Sequence, residues 1–266
     1  MKNCFVLVTH KIDNYVLNKW TRMKSDFAMS DVSCYLAVDF TRLPQVDDSI
    51  LHSAVNDKVV DLKDIWAFDE GSIKRYLQNI GYDIQYYEPG GRLFYGNIML
   101  AFMTFFLNHY NFDYYWFVEW DVAYSGNWSY LCSKNDNNDA DYISYSCLTN
   151  TYSNPSWFHY GQWSTKTIDP FKEEELVKTF NPIMRLSKRA LEHLDMVYKK
   201  GNSGFYEIFL GTVLKRDGYK LGGFLENGDL TPDGFIYLPG GRSLDFNSVK
   251  VKPNKLYHPV KLQPPF

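Results

Sequence analysis

Apolar residues in the first half of the chain come in short unbroken runs, separated by longer stretches with helical spacing. Cys4–Val8 is such a run and has the length of a buried strand. Asn14–Phe27 follows, with Val16, Leu17, Trp20 and Met23 on one helical face. Ser33–Val38 reads as the second strand and Val59–Leu62 as a weak third. Glu70–Ile80 is helical in pattern, and Gly81 stands where a left-handed residue ends a helix. Asp83–Tyr87 is strand-like, and Pro89-Gly90-Gly91 is a turn. Asn97–Tyr110 reads as a helix, with Ile98–Leu107 as its apolar core portion. Tyr114–Val118 is almost wholly aromatic and strongly β-prone. Strands alternating with helices predict an α/β fold: a mostly parallel, twisted, Rossmann-like sheet with helices on both faces.

The second half is less regular. Asp141–Cys147 is strand-like, Ser187–Lys199 is a helix with Ser187 as N-cap, and Gly204–Arg216 is another. The latter presents Phe205, Ile208, Phe209, Thr212 and Val213 as its apolar face. Between them, Leu148–Pro170 is a long polar-aromatic segment without periodicity. Loops of that length in compact domains are functional or disordered. Trp157, Phe158, His159, Tyr160 and Trp163 argue against disorder. Lys172-Glu173-Glu174-Glu175 reads as a solvated helix start.

Composition narrows the function. The chain has 266 residues and a net charge of -3, which gives no electrostatic grip on nucleic acid. Its 21 Tyr, 19 Phe and 7 Trp fit either an aromatic core or a groove whose ring faces stack on sugars. Cys4, Cys34, Cys132 and Cys147 form no CxxC pair and lie in apolar segments, as buried thiols of a reducing compartment do. The N-terminal apolar run is too short for a signal peptide, and no stretch approaches the ~20 apolar residues of a membrane span. We expect one domain over 1–266, in the cytoplasm.

The chemistry centres on the end of the aromatic strand, Tyr114-Tyr115-Trp116-Phe117-Val118-Glu119-Trp120-Asp121-Val122. In an extended chain, residues i and i+2 share a face, so Glu119 and Asp121 converge at the carboxyl edge of the sheet. Open α/β sheets bind ligands at that edge. Two carboxylates there suit Mg²⁺ or Mn²⁺ bridging phosphate oxygens. The plainer alternative is two acids leaving the core at a strand end.

The stretch Trp116–Trp128 resembles the Asp-x-Asp region of GT-A glycosyltransferases. It is most similar to bacterial O-antigen or capsule transferases of the galactofuranosyltransferase kind, with a W-x-x-E-x-D-V pattern. Asn181-Pro182-Ile183-Met184-Arg185-Leu186-Ser187 and Leu256-Tyr257-His258-Pro259-Val260-Lys261 extend the similarity over most of the chain. Glu119 replaces the first Asp of the motif, so it is either a metal ligand or a ribose contact.

The resemblance implies a single GT-A domain, with 1–125 holding the nucleotide-sugar and 126–266 the acceptor. It implies a UDP-linked donor, a divalent metal, and a glycan or lipid-linked glycan acceptor. Bacterial surface polysaccharide synthesis would place the enzyme at the inner face of the membrane. Asp121 and His258 are the implied metal ligands, unless His258 is simply a surface residue before Pro259. Thr9, His10 and Asp39, at the first two strand ends, would hold base and ribose. Arg92 and Asn97 would face the donor. Arg185 would reach a pyrophosphate or an acceptor acid, or form an internal ion pair. Trp157, His159 and Trp163 would line the acceptor side.

Glu207 lies about 200° round its helix from Phe205, at about 100° per residue, and so off the apolar face. It is the candidate base of an inverting transfer; the alternative is an acid that complements the helix N-terminus. Two other functions compete: a sugar nucleotidyltransferase, although Val6–His10 carries no phosphate-binding glycines, and a non-catalytic carbohydrate-binding module.

Overall fold

The apolar runs at Cys4–Val8, Ser33–Val38 and Tyr114–Val118 become strands because parallel strands are covered on both faces and tolerate little polarity. The computed structural model describes residues 1–41, 48–82, 97–146, 148–149, 165–166, 171–238 and 242–266. The elements in its first half are β1 (Asn3–Thr9), α1 (Asn14–Phe27), β2 (Ser33–Asp39), α2 (Asp48–Asn56), β3 (Ile65–Phe68), α3 (Glu70–Asn79), α4 (Ile98–Asn108), β4 (Tyr114–Glu119) and β5 (Ala123–Tyr124). Then come α5 (Trp128–Lys134), β6 (Tyr142–Ser144), β7 (Leu148–Thr149), β8 (Thr165–Lys166), β9 (Val177–Lys178), β10 (Ile183–Ser187) and α6 (Lys188–Lys199). The chain ends with β11 (Ser203–Gly204), α7 (Tyr206–Arg216), β12 (Leu221–Gly223), β13 (Leu230–Phe235) and β14 (Leu256–His258).

The central sheet has seven strands in the order β12-β6-β10-β4-β1-β2-β3. β10 is antiparallel to both neighbours and every other pairing is parallel. The fold is therefore the expected α/β class. Side chains alternate between the two faces of β1 and β4. Cys4, Val6, Val8, Tyr115 and Phe117 pack with residues of α3, α4, α6 and α7. Phe5, Leu7, Trp116 and Val118 pack with α1 and α5 on the other face. The sheet also draws β6, β10 and β12 from beyond residue 126.

One strand lies elsewhere than its pattern suggests. Val59–Leu62 is not β: the N–H groups of Val59 and Val60 donate to the Ala54 carbonyl, closing the end of α2. Val60 is a buried plug, and the edge strand begins at Ile65 with only Phe68 fully covered. An edge strand needs less apolar sequence, so periodicity misses it. The acidic run near 172 forms only a short 3₁₀ turn, Glu173–Glu175. Asp83–Tyr87, Pro89–Gly91 and Cys147 lie outside the described residues. No helix among the described residues is long and apolar enough to cross a membrane.

Candidate functional site

β1, β2 and β4 run parallel, so Thr9, Asp39 and Glu119 end at one edge of the sheet. Glu119 follows Tyr115 and Phe117 on the α7 face. The chain then turns, with the Val122 N–H donating to the Glu119 carbonyl at 3.1 Å. Glu119 and Asp121 do converge, but through this turn and not through continued extension of the strand.

His258 is delivered to them from the far end of the sequence by a second, three-stranded sheet. β14 pairs antiparallel with β5, with Leu256 opposite Tyr124 and Tyr257 opposite Ala123. Continuing that register brings His258 level with the acidic turn. The Val260 N–H clamps the junction by donating to the Asp121 carbonyl at 2.6 Å. One carboxylate oxygen each of Glu119 and Asp121 and one ring nitrogen of His258 lie within 4.8 Å of one another.

The electrostatics of this cluster suit a cation. Burial, then the neighbouring Asp121 and Glu207, hold the Glu119 carboxyl well above the ordinary range. Asp121 is 6% exposed, and its Oδ1 accepts no hydrogen bond among the described residues. His258 Nδ1 lies 2.9 Å from the Ile236 carbonyl, which can only accept, so the proton sits on Nδ1 in the bond. Burial, the largest cause, lowers the His258 pKa and keeps the ring neutral, which leaves Nε2 a bare lone pair. Nε2 faces Asp121 Oδ1 at 3.6 Å. A neutral imidazole oriented by a backbone carbonyl, an orphaned carboxylate oxygen and a second carboxylate fit a divalent metal. Phe180 and Phe235 pack their rings against the imidazole. His258 is thus buried, and the surface alternative for it falls.

Cations surround the turn. Lys261 Nζ is 3.9 Å from Asp121 Oδ2. Lys11 Nζ lies 3.9 Å from the Trp120 ring centroid, over its face, and His10 meets the same ring edge-on. Beneath the turn, Lys19 Nζ donates to the carbonyls of Glu119, Trp120 and Val122. Burial pushes the Lys19 pKa down to about 7 against the pull of Asp121 and Glu119. Sequence reading assigned no role to Lys11, Lys19, Lys261 or Trp120. The available signal for Lys19 was a lysine between Val16, Trp20 and Met23, on the buried stripe of its helix.

The remaining expectations divide. Glu207 is 3% exposed and does not point away from the interior. Every residue of α7 from Tyr206 to Leu214 is buried, so an apolar face does not imply an exposed opposite one. Its off-face direction leads toward the site: Glu207 Oε1 accepts from the Asn181 N–H at 3.2 Å, and the adjoining Pro182 carbonyl takes the Glu119 N–H at 2.7 Å.

Arg185 is held elsewhere. Its guanidinium donates to the carbonyls of Asn135, Asn138 and Ala140 and lies over the Tyr114 ring, toward the opposite end of β4. It holds together the 135–140 loop, away from the strand edge that carries Glu119, and no ion pair of Arg185 is present among the described residues. Thr9 is buried, and its hydroxyl donates to the Lys11 carbonyl at 2.5 Å, fixing the turn that carries His10 and Lys11. Asp39 accepts from the Thr41 N–H and hydroxyl, with burial raising its pKa. Asn97 precedes α4 without capping it by its side chain. Arg92, Trp157, Phe158, His159, Tyr160 and Trp163 lie outside the described residues.

No family model and no curated protein sequence matches the chain. Among solved structures, the apo form of mouse xyloside xylosyltransferase 1 is similar at a TM-score of 0.47 and 13% identity, with 96% of this chain and 97% of that one covered.

Proposed function

We propose that the chain is a metal-dependent glycosyltransferase that moves a sugar from a nucleotide donor, UDP-linked, to a hydroxyl of a glycan or lipid-linked glycan. The observation that carries this is the cluster of Glu119, Asp121 and His258 at the carboxyl edge of the parallel strands, with Asp121 Oδ1 lacking a hydrogen bond. The resemblance of Trp116–Trp128 to the acidic region of GT-A enzymes agrees with it, as do the motifs around Asn181 and Leu256.

Asp121 and His258 would hold the metal, with Glu119 as a third ligand or a ribose contact. When bound, Mn²⁺ or Mg²⁺ supplies neutralisation of the charge that develops on the leaving diphosphate. Lys11 and Lys261 stand where they would meet phosphate oxygens, and Trp120, packed against Lys11 and His10, offers a ring beside them. Thr9 and Asp39 shape the strand ends on which base and ribose would rest. Glu207, beside the Asn181–Pro182 backbone on the Glu119 face, would take the proton of the acceptor hydroxyl in an inverting reaction. The aromatic segment that includes Trp157, His159 and Trp163 would supply the acceptor side. A lipid-linked acceptor would bring the enzyme to the inner membrane face.

The test is thermal melting with UDP and Mn²⁺. At 100 times Kd, a ligand that binds only the folded chain stabilises it by about 2.7 kcal/mol. UDP should raise Tm by several degrees with Mn²⁺ and far less with EDTA, and Asp121→Asn should abolish the difference. Asp121→Asn should keep the parent fold, because Oδ1 carries no hydrogen bond to lose. A UDP effect that is indifferent to metal and to Asp121 would sink the proposal.

A further inference from the structure

The turn that carries the two carboxylates is held on its α1 side in two ways. Its side chains pack there: Val122 is fully buried in the core that α1 helps to form, and Trp120 packs against it. Its backbone is held by Lys19, 9% exposed, whose ammonium donates to the carbonyls of Glu119 and Trp120 at 3.0 Å each and to that of Val122. An ammonium has three protons, and this one places them on three carbonyls within four consecutive residues.

No carboxylate makes an ion pair with Lys19 among the described residues, although burying an unpaired ammonium is costly. One turn earlier on the same helix, the Tyr15 hydroxyl donates to the Val260 carbonyl at 2.9 Å. Residues four apart share a helix face. One face of α1 thus holds both the acidic turn and the segment after His258.

We infer that Lys19 is a positioning residue for the metal site: its ammonium braces the 119–122 backbone so that Glu119 and Asp121 meet His258 at ligand spacing, and its charge offsets their mutual repulsion. The inference rests on the proposed function, in that the cluster must bind a metal. Lys19 touches neither metal nor substrate. Removing a group that orients metal ligands typically weakens metal affinity ~10–100-fold.

The test measures Mn²⁺ affinity of the full chain by EPR, with melting temperature and circular dichroism on the same samples. Lys19→Met keeps the stem and removes the ammonium. It should bind Mn²⁺ at least ~10-fold more weakly while folded. Leu194→Ala, a cavity variant in α6 far from the turn, lowers stability without touching the brace and should bind Mn²⁺ like the parent. Equal weakening in Leu194→Ala would show that loss of stability alone is responsible and overturn the inference.

A second measurement needs no variant. The Lys19 ammonium ¹H–¹⁵N signal should be protected from exchange and shift on titration with Mg²⁺; an exchanging, unresponsive ammonium overturns the inference even where Lys19→Met fails to fold. Unchanged Mn²⁺ affinity in folded Lys19→Met overturns the inference and leaves the metal site standing. A parent chain that binds no Mn²⁺ removes both.

Discussion

Glu119 is the residue on which the charge balance of the site turns. Burial and two neighbouring acids hold its pKa up in the folded chain, whereas an unfolded Glu titrates near about 4.3. Between those values the metal-free native state keeps a proton that the unfolded state has lost. Stability must then fall as pH rises through that window, because the unfolded state binds fewer protons. Other carboxylates shift the opposite way: hydrogen bonds from Arg189, Lys220 and Ser187 outweigh burial to lower the Asp141 pKa. The informative quantity is therefore the difference between the parent and Glu119→Gln. Relative to the variant, the metal-free parent should lose stability with rising pH, and Mn²⁺ should reverse that trend because it binds the ionised form. Urea titrations across pH, with and without Mn²⁺, measure it. Parallel curves for parent and variant would show that Glu119 ionises normally.

Among the elements, α7 does two things. It carries Glu207 toward the Asn181–Pro182 backbone, and it packs against β9 closely enough to need a glycine. A Cβ at Gly211 would stand 2.8 Å from Val177 Cγ1 and 2.9 Å from Thr179 Cγ2. Ala normally gains about 1 kcal/mol over Gly inside a helix. Overpacking costs typically ~1–3 kcal/mol, so Gly211→Ala should lower Tm despite the better helix former. A higher Tm would mean that β9 yields easily. For Glu207, Glu207→Gln keeps the shape and the Asn181 contact while removing the base. Transfer should slow by ~10²–10⁴ with donor binding unchanged. A purely structural Glu207 predicts a shift in melting with little change in rate, so kcat and Tm on one preparation separate the two roles.

At the scale of the whole molecule, the site joins distant parts of the chain. The parallel strands supply Thr9, Asp39 and Glu119 to one edge. The small sheet of β13, β14 and β5 returns His258 to Asp121 across 137 residues of sequence, the difference of the two numbers. If Glu207 is the base proposed above, the acceptor attacks from the side opposite the leaving diphosphate. The product anomer should therefore have the configuration opposite to the donor's, as NMR of the first-formed product would show. Retention would remove the role of Glu207 while leaving the metal cluster intact.

What was legible in the sequence was whatever follows from short-range pattern. Unbroken apolar runs made β1, β2 and β4 readable, because strands covered on both faces must be apolar throughout. The span of α1 was read to the residue, since its amphipathic stripe of Val16, Leu17, Trp20 and Met23 is local. Glu119 and Asp121 stood out because ionisable residues end an otherwise aromatic strand. Only tertiary structure decided the rest. Whether His258 is exposed or a partner of Asp121 depends on the β14–β5 register, which no local spacing encodes. Arg185 and Lys19 are both cations in apolar surroundings. What each holds was set by which carbonyls the fold brings within reach: those of the 135–140 loop for one and of the acidic turn for the other. Glu207 sits inside and not outside because α7 is enclosed on all sides, and enclosure is a property of the neighbours a helix receives, not of its own sequence.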